Sequence, residues 1–205
     1  ECTDQSAEHL STGGSPSFSQ DARDLEAWEG LCGYDTRQRF VSSFVVQLPF
    51  AKGSRGLTKA VLADWTVSGI YAYRTGRPFT VTQGSNNVGQ GHTGLPNRVG
   101  SGEGPETVDK WFEPADFQAV TSGTFGNSGR NILRGPDWQS LDLSLQKSFP
   151  VRRANLNLRW DVFNVFNTVN LGLPDANIAN TATVGQIRSL SGDPRLMQFS
   201  VPFQF

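Results

Sequence analysis

Leu141-Asp142-Leu143-Ser144-Leu145-Gln146-Lys147-Ser148-Phe149, the short stretch Pro150-Val151-Arg152-Arg153-Ala154, and then Asn155-Leu156-Asn157-Leu158-Arg159-Trp160-Asp161-Val162 decide the fold class of this chain. Apolar and polar residues alternate on both sides of the stretch. A period of two sends successive side chains to opposite faces of a β-strand, so each flank has one apolar and one polar face. Lys147 alone breaks the pattern, and a lysine near the end of a membrane strand is expected to reach the headgroups. The alternation fails again at Phe163 to Phe166, where a bulge or a membrane edge is expected.

Three further segments share the period. In the first (38–50), Phe40, Phe44, Val46, Leu48 and Phe50 share a face opposite Val41, Ser43, Val45 and Gln47. In the second (62–82), Trp65, Val67, Gly69, Tyr71 and Tyr73 oppose Thr66, Ser68, Ile70, Ala72 and Arg74, and the strand is expected to continue through Phe79-Thr80-Val81. The segments at 137–149 and 154–166 follow, and the last (195–205) sets Met197, Phe199, Val201, Phe203 and Phe205 against Gln198, Ser200, Pro202 and Gln204. Pro202 is the departure there, because proline lacks the ladder donor.

Alternation alone does not distinguish a soluble sandwich from a membrane barrel. Segment length does: a strand needs about 9–11 residues to cross a bilayer at a tilt, whereas ordinary strands average about 5–6. The connections agree, since 150–154 is short while 76–137 and 167–195 are long, rich in Gly, Asn, Ser, Thr and Pro, and leave the opposite ends of the strands. Outer-membrane barrels segregate short periplasmic turns from long extracellular loops in this way. With 22 Gly, 11 Pro, 14 Phe and one Met in 205 residues, the composition also favours turns joined by aromatic-rich strands. No run of about 18 apolar residues suggests a membrane helix. The net charge of -1 supplies no basic field, so nucleic acid is not expected as a partner.

A C-terminus on the periplasmic side puts the 150–154 turn there and both long loops outside. Phe50, Phe149, Phe203 and Phe205 then form one aromatic girdle, and Phe40, Tyr73, Trp138 and Phe166 the other. Every backbone polar group in the hydrocarbon layer must be paired, so a spanning sheet has to close, and closed bacterial barrels begin at about eight strands. Five strands are therefore expected to belong to a larger barrel, with 1–37 an extracellular loop-like segment and 38–205 the barrel part. Glu1-Cys2-Thr3-Asp4 has no leader character, so an exported protein is expected to have lost its leader or to begin upstream.

Arg37-Gln38-Arg39-Phe40-Val41-Ser42-Ser43-Phe44, Trp65-Thr66-Val67-Ser68-Gly69-Ile70 and Thr75-Gly76-Arg77-Pro78-Phe79-Thr80-Val81 resemble the late strands of Oar-like TonB-dependent receptors, which often carry a carboxypeptidase-regulatory-like domain. Lys110-Trp111-Phe112-Glu113-Pro114, Gly129-Arg130-Asn131-Ile132-Leu133-Arg134-Gly135-Pro136, Asp161-Val162-Phe163-Asn164-Val165-Phe166-Asn167 and Gly192-Asp193-Pro194-Arg195 resemble the same family. The resemblance implies an all-β, antiparallel, up-and-down transmembrane barrel of about 22 strands with a plugged lumen, of which this chain is the C-terminal part. It implies uptake of a scarce ligand across the bacterial cell outer membrane. The implied partners are outer-membrane lipid, the rest of the barrel and its plug, the TonB energy complex acting through an N-terminal part, and the barrel-assembly machinery. Phe199, Val201, Phe203 and Phe205 would form the C-terminal assembly signal.

Little in the sequence points to catalysis. His9 and His92 both lie in loop-like sequence, so neither a triad nor a zinc site is expected, and the chain is read as not an enzyme, without metal or cofactor. The Gly-rich stretch 84–104 lacks the Lys-Ser/Thr ending of a phosphate loop and is expected to be a flexible surface loop. Asp109, Glu113 and Asp116 have weak calcium-site spacing and read better as a solvated loop. Arg74, Asp142, Arg159 and Asp161 are expected to face the lumen, where they either touch ligand or plug or simply stabilise the wall. Cys2 and Cys32 are either a disulfide or two free thiols. The rival readings are a soluble β-sandwich that stacks sugars on Trp and Tyr, and a structural or adhesive outer-membrane barrel.

Overall fold

The computed structural model describes residues 20–21, 23–50, 53, 55–84, 94–151 and 154–204. In chain order the strands among them are β1 (Arg39–Gln47), β2 (Trp65–Arg74), β3 (Pro78–Phe79), β4 (Asn97–Arg98), β5 (Phe117–Gln118), β6 (Leu133–Arg134), β7 (Trp138–Val151), β8 (Ala154–Phe163), β9 (Leu196–Ser200) and β10 (Phe203–Gln204). A helix, α1 (Gly56–Leu62), stands between β1 and β2, and single 3-10 turns lie at Glu26–Trp28 and Pro114–Asp116. The chain divides into two compact units. Arg39–Arg74, Trp138–Asn170 and Gly192–Phe205 make a sheet unit; the described residues of Glu1–Gln38, Thr75–Asp137 and Leu171–Ser191 make a loop unit.

The sheet runs β1-β2-β7-β8-β10 with β9 also on β8, and all its pairings are antiparallel. Its register turns the alternation of each strand into continuous rows. Phe44 stands opposite Gly69 and Gly69 opposite Leu143; Val67 opposes Leu145, and Leu145 opposes Trp160; Val162 opposes Met197. Directly opposed residues share a face, so these residues, with Phe40, Tyr71, Tyr73, Leu158 and Phe199, make one apolar face. Among the described residues nothing covers it: Phe199 is 74% exposed, and Phe40, Phe44, Val46 and Met197 are exposed as well. A soluble sandwich would bury that face under a second sheet.

Gly69 is the one point on this face where a side chain is missing. A Cβ there would come within 2.6 Å of Leu143 Cδ2 and 2.7 Å of Phe44 Cζ, whose side chains close over it from both neighbouring strands. β1 is exposed along all nine of its residues because it is an edge strand. Among the described residues the sheet does not close, and its unpaired edge is a row of orphan N–H and C=O groups.

Several boundaries differ from the sequence reading, each for a local reason. The strand expected over 62–82 ends at Arg74, and Pro78-Phe79 instead pairs with β6. Gly76 makes the break: its N–H donates to Asp137 Oδ1 at 2.9 Å, its carbonyl accepts from Arg134, and a Cβ on it would collide with the Gly135 carbonyl. The strand also begins later than 62, because 56–62 forms α1, which leaves Leu57, Val61 and Leu62 exposed. β8 stops at Phe163 because Asn164, at φ 50, enters the left-handed region. The last strand is split at Pro202, which accepts from the Asn157 N–H at 3.0 Å and has no N–H to return. Register is nonetheless kept on both sides, with Ser200 opposite Arg159 and Phe203 opposite Leu156.

Lys147 is a correction of another kind. Its row places it on the apolar face opposite Trp65, but it is 2% exposed and does not extend to a headgroup. Its ammonium donates to the Ala63 carbonyl and sits 5.2 Å from the Trp65 ring centroid and 5.0 Å from that of Phe149. Two ring faces and a carbonyl solvate the cation in place of water.

The loop unit has its own core. Phe79, Val81, Phe112, Phe117 and Leu133 are buried together, with Trp111, Ile132 and Ile178 packed against them. Phe112 lies 5.7 Å from Phe79 and 5.9 Å from Phe117, the latter edge-on, an arrangement favoured by the ring quadrupole. Of the stretch expected as a flexible Gly-rich loop over 84–104, Leu95 and Pro96 are fully buried while Arg98, Val99, Ser101 and Glu103 are exposed, and 85–93 lie outside the described residues.

Candidate functional site

The face of the sheet opposite the apolar rows carries the polar candidates. Arg74 stands opposite Trp138, Ile70 opposite Asp142, Ser144 opposite Asp161 and Gln146 opposite Arg159. At about 3.4 Å per residue, Arg74 lies about four residues above the Asp142 level along β2. The four predicted residues therefore share a face without forming one pocket, and only Arg159 and Asp161 meet.

Arg159 and Asp161 are together. The Arg159 Nε–H is shared between both carboxylate oxygens of Asp161, each 2.9 Å away, and Asp161 is 9% exposed. This side-on grip leaves both terminal amino groups of Arg159 without a partner among the described residues, on a side chain that is half exposed. The pair thus holds an oriented cation with free donors on the polar face.

Asp142 is engaged structurally. It accepts from Ser140 Oγ at 3.0 Å and from the Asn164 backbone N–H at 2.9 Å. Asn164 in turn donates from its side chain to the carbonyls of Thr168 and Asp193, and its amide oxygen accepts from the Thr168 N–H. The carboxylate therefore anchors a turn that ties the end of β8 to the stretch before β9. Arg74 stacks over Trp138, its guanidinium carbon 5.3 Å from the ring centroid. Ser68, Ser140, Ser144, Gln146, Gln198 and Ser200 complete the polar rows. Sequence reasoning left them out because uncharged residues on a polar strand face carry no individual signal.

Of the expected assembly signal, Phe199 stacks on Trp160 at 5.5 Å and 5°, Val201 is exposed, and Phe203 lies in β10 opposite Leu156; Phe205 lies outside the described residues. Cys32 is disulfide-bonded, and Cys2 lies outside the described residues. His9 and His92 lie outside them too.

The acidic residues of the loop unit have separate tasks. Glu113 caps the 3-10 turn through the Ala115 N–H and pairs with Lys110 at 2.5 Å, and that Lys110 hydrogen bond holds its carboxyl below the ordinary range. Asp116 accepts from the Gly102 N–H at 2.8 Å. Among the described residues, no three His, Cys, Asp or Glu side chains converge to hold a metal ion. Asp175 is partly buried, which raises its pKa, but donors from Thr183, Asn180 and Asn177 and the charge of Arg188 together outweigh the burial and lower it. The loop unit as a folded body was not foreseen. Its signal in the sequence is the density of large residues, Trp111, Phe112 and Phe117, in a stretch otherwise composed like a loop.

No curated protein and no solved structure proves similar to the chain. A family model described as an outer membrane beta barrel domain matches residues 2–198, nearly its whole length. That match agrees with an antiparallel sheet that, among the described residues, is apolar and uncovered on one face and polar on the other, with little helix outside it. The protein belongs to the outer membrane beta barrel domain family and resides in the bacterial outer membrane.

Proposed function

We propose that this chain is the C-terminal wall of a TonB-dependent outer-membrane receptor of about 22 strands, one that takes up a scarce ligand without performing catalysis. The observation that carries the proposal is the loop unit. A connection between two membrane strands that builds its own aromatic core around Phe79, Phe112 and Phe117 presents a shaped surface, which suits ligand capture better than simple anchorage. Functional loops of this length are the exception among connections and usually cover or form a binding site.

Arg159 supports the same reading. Its free terminal donors, held in place by Asp161, suit a carboxylate of a plug or an anionic group of a passing ligand. The unpaired edge of β1 fits further strands of the same barrel, and the aromatic alternation at 199–205 fits docking on the barrel-assembly machinery. A structural or adhesive barrel shares the sheet but gives no reason for an oriented cation on the polar face.

The test uses the full-length protein in detergent and the purified periplasmic domain of TonB. Retention of that domain by the receptor, lost when the protein's most N-terminal periplasmic segment is removed, is the expected result. Failure of the full-length protein to bind TonB overturns the transporter reading and leaves the structural barrel.

A further inference from the structure

We propose that the apolar side of the sheet carries a site for one phosphate-bearing lipid of the outer leaflet, with an acyl chain in a furrow and the phosphate on Arg195. The furrow has a volume of about 380 Å³ and is walled by Val67, Leu143, Leu145, Trp160, Val162 and Met197. All six stand in the apolar rows set by the register of β2, β7, β8 and β9. The hollow is therefore a depression in the lipid-facing surface and not a defect between the two faces. Four neighbouring paired strands build it, so the unpaired edge of β1 does not enter.

The wall is firm. Trp160 and Phe199 lie ring on ring, 5.5 Å apart and 5° from parallel, so one flank of the furrow is a fixed aromatic surface. The volume falls in the range of about 300–1,000 Å³ usual for small-molecule sites. A methylene chain lying there exchanges lipid for side-chain contact and gains from shape alone, so ordinary bilayer lipid would bind with little preference.

Arg195 changes that balance. It lines the same furrow at the end where the long loops leave the sheet, one residue before β9 begins. Its backbone N–H is held by Asn167 Oδ1 at 3.0 Å, and one terminal nitrogen approaches the Val165 carbonyl at 3.4 Å. Among the described residues it makes no ion pair and its remaining donors have no partner. A planar guanidinium at the mouth of an apolar furrow matches a phosphate oxygen pair bidentately. Long loops mark the extracellular side of such barrels, which assigns the lipid to the outer leaflet. The inference rests on the apolar face meeting lipid and is independent of the uptake proposal.

The experiment is native mass spectrometry of the full-length protein in detergent, supplied with equal amounts of dioleoyl phosphatidic acid and dioleoylglycerol. The expected result is one retained phosphatidic acid per protein, preferred about tenfold over the diacylglycerol, a difference of ~1.4 kcal/mol. Arg195→Ala should abolish the preference, whereas Val162→Trp, which fills the furrow, should lower retention of both lipids. Heat-dependent gel mobility checks that each variant is folded; Arg195→Lys provides a milder variant and should keep part of the preference. Equal retention of the two lipids by the unmodified protein, or an unchanged preference in Arg195→Ala, overturns the proposal. So does displacement of the lipid by millimolar inorganic phosphate alone, which would mark a simple anion site.

Discussion

Replacing Asp142 with alanine removes the acceptor of two hydrogen bonds, one from Ser140 Oγ at 3.0 Å and one from the Asn164 N–H at 2.9 Å. The two losses differ. Ser140 lies on the polar face and can turn its hydroxyl to water, so that bond contributes little. Asn164 is 5% exposed and sits at φ 50, with its amide group already committed to Thr168 and Asp193, so its N–H has no second acceptor to turn to. A hydrogen bond to a charged group contributes about 1.5–3 kcal/mol, and a buried donor left unpaired costs a similar amount. Asp142→Ala should therefore destabilise the protein by about 2–3 kcal/mol. Asp142→Asn keeps a carbonyl acceptor for the same N–H and should cost about 1 kcal/mol. The assay is urea unfolding of protein folded into lipid vesicles, combined with hydrogen exchange at Asn164 to Asn170. The exchange should accelerate in the alanine variant and stay near normal in the asparagine variant. Full stability and unchanged exchange in Asp142→Ala would refute the anchoring role and return Asp142 to the list of ligand or plug contacts.

Three other expectations concern the loop unit. Phe112 is 1% exposed at the centre of its aromatic cluster, so Phe112→Ala should remove about 3–5 kcal/mol from that unit, seen as protease cleavage within 94–134 while heat-dependent gel mobility of the sheet is unchanged. Asp175 has a folded pKa below its unfolded value of about 3.9, so its contribution is fully present above about pH 4 and lost as the pH falls through the folded value. Protection against hydrogen exchange across Asp175 to Ile187, referred to the intrinsic rate at each pH, should therefore fall in acid, and Asp175→Asn should lose that pH dependence. Cys32 should resist maleimide in the unfolded, unreduced protein and react after reduction.

The sheet was legible because each strand obeys a period of two over nearly its whole length, and one face of it has to meet lipid. The face of each residue then followed from its place in the alternation, as Leu143, Leu145 and Trp160 show, whereas the pairing of Val67 with Leu145 did not. What the pattern hid was set by particular contacts. Phe79 and Val81 continue the alternation of β2, yet they belong to the loop core, because Gly76 allows the chain to turn against Gly135 and Phe112 provides a better apolar neighbour. Lys147 looked like a snorkelling lysine, since nothing in its own strand reveals that the Ala63 carbonyl and two aromatic rings will meet it. α1 leaves no helical signature in the sequence because seven residues are too few for a helical period to stand out. Among the site residues, face could be read from position, but partners could not. Asp142 and Asp161 look alike in sequence; one anchors a backbone turn and the other orients an arginine.

The central claim is that the face bearing Leu143 and Leu145 meets lipid and the face bearing Ser144 meets water. Spin labels on Leu143→Cys, Ser144→Cys and Leu145→Cys, introduced into the protein in lipid vesicles, test it through their collision rates with oxygen and with a water-soluble nickel chelate. The account predicts high oxygen access at 143 and 145, where oxygen concentrates in the bilayer, and high chelate access at 144. Chelate access at 143 and 145 equal to or greater than that at 144 would contradict it.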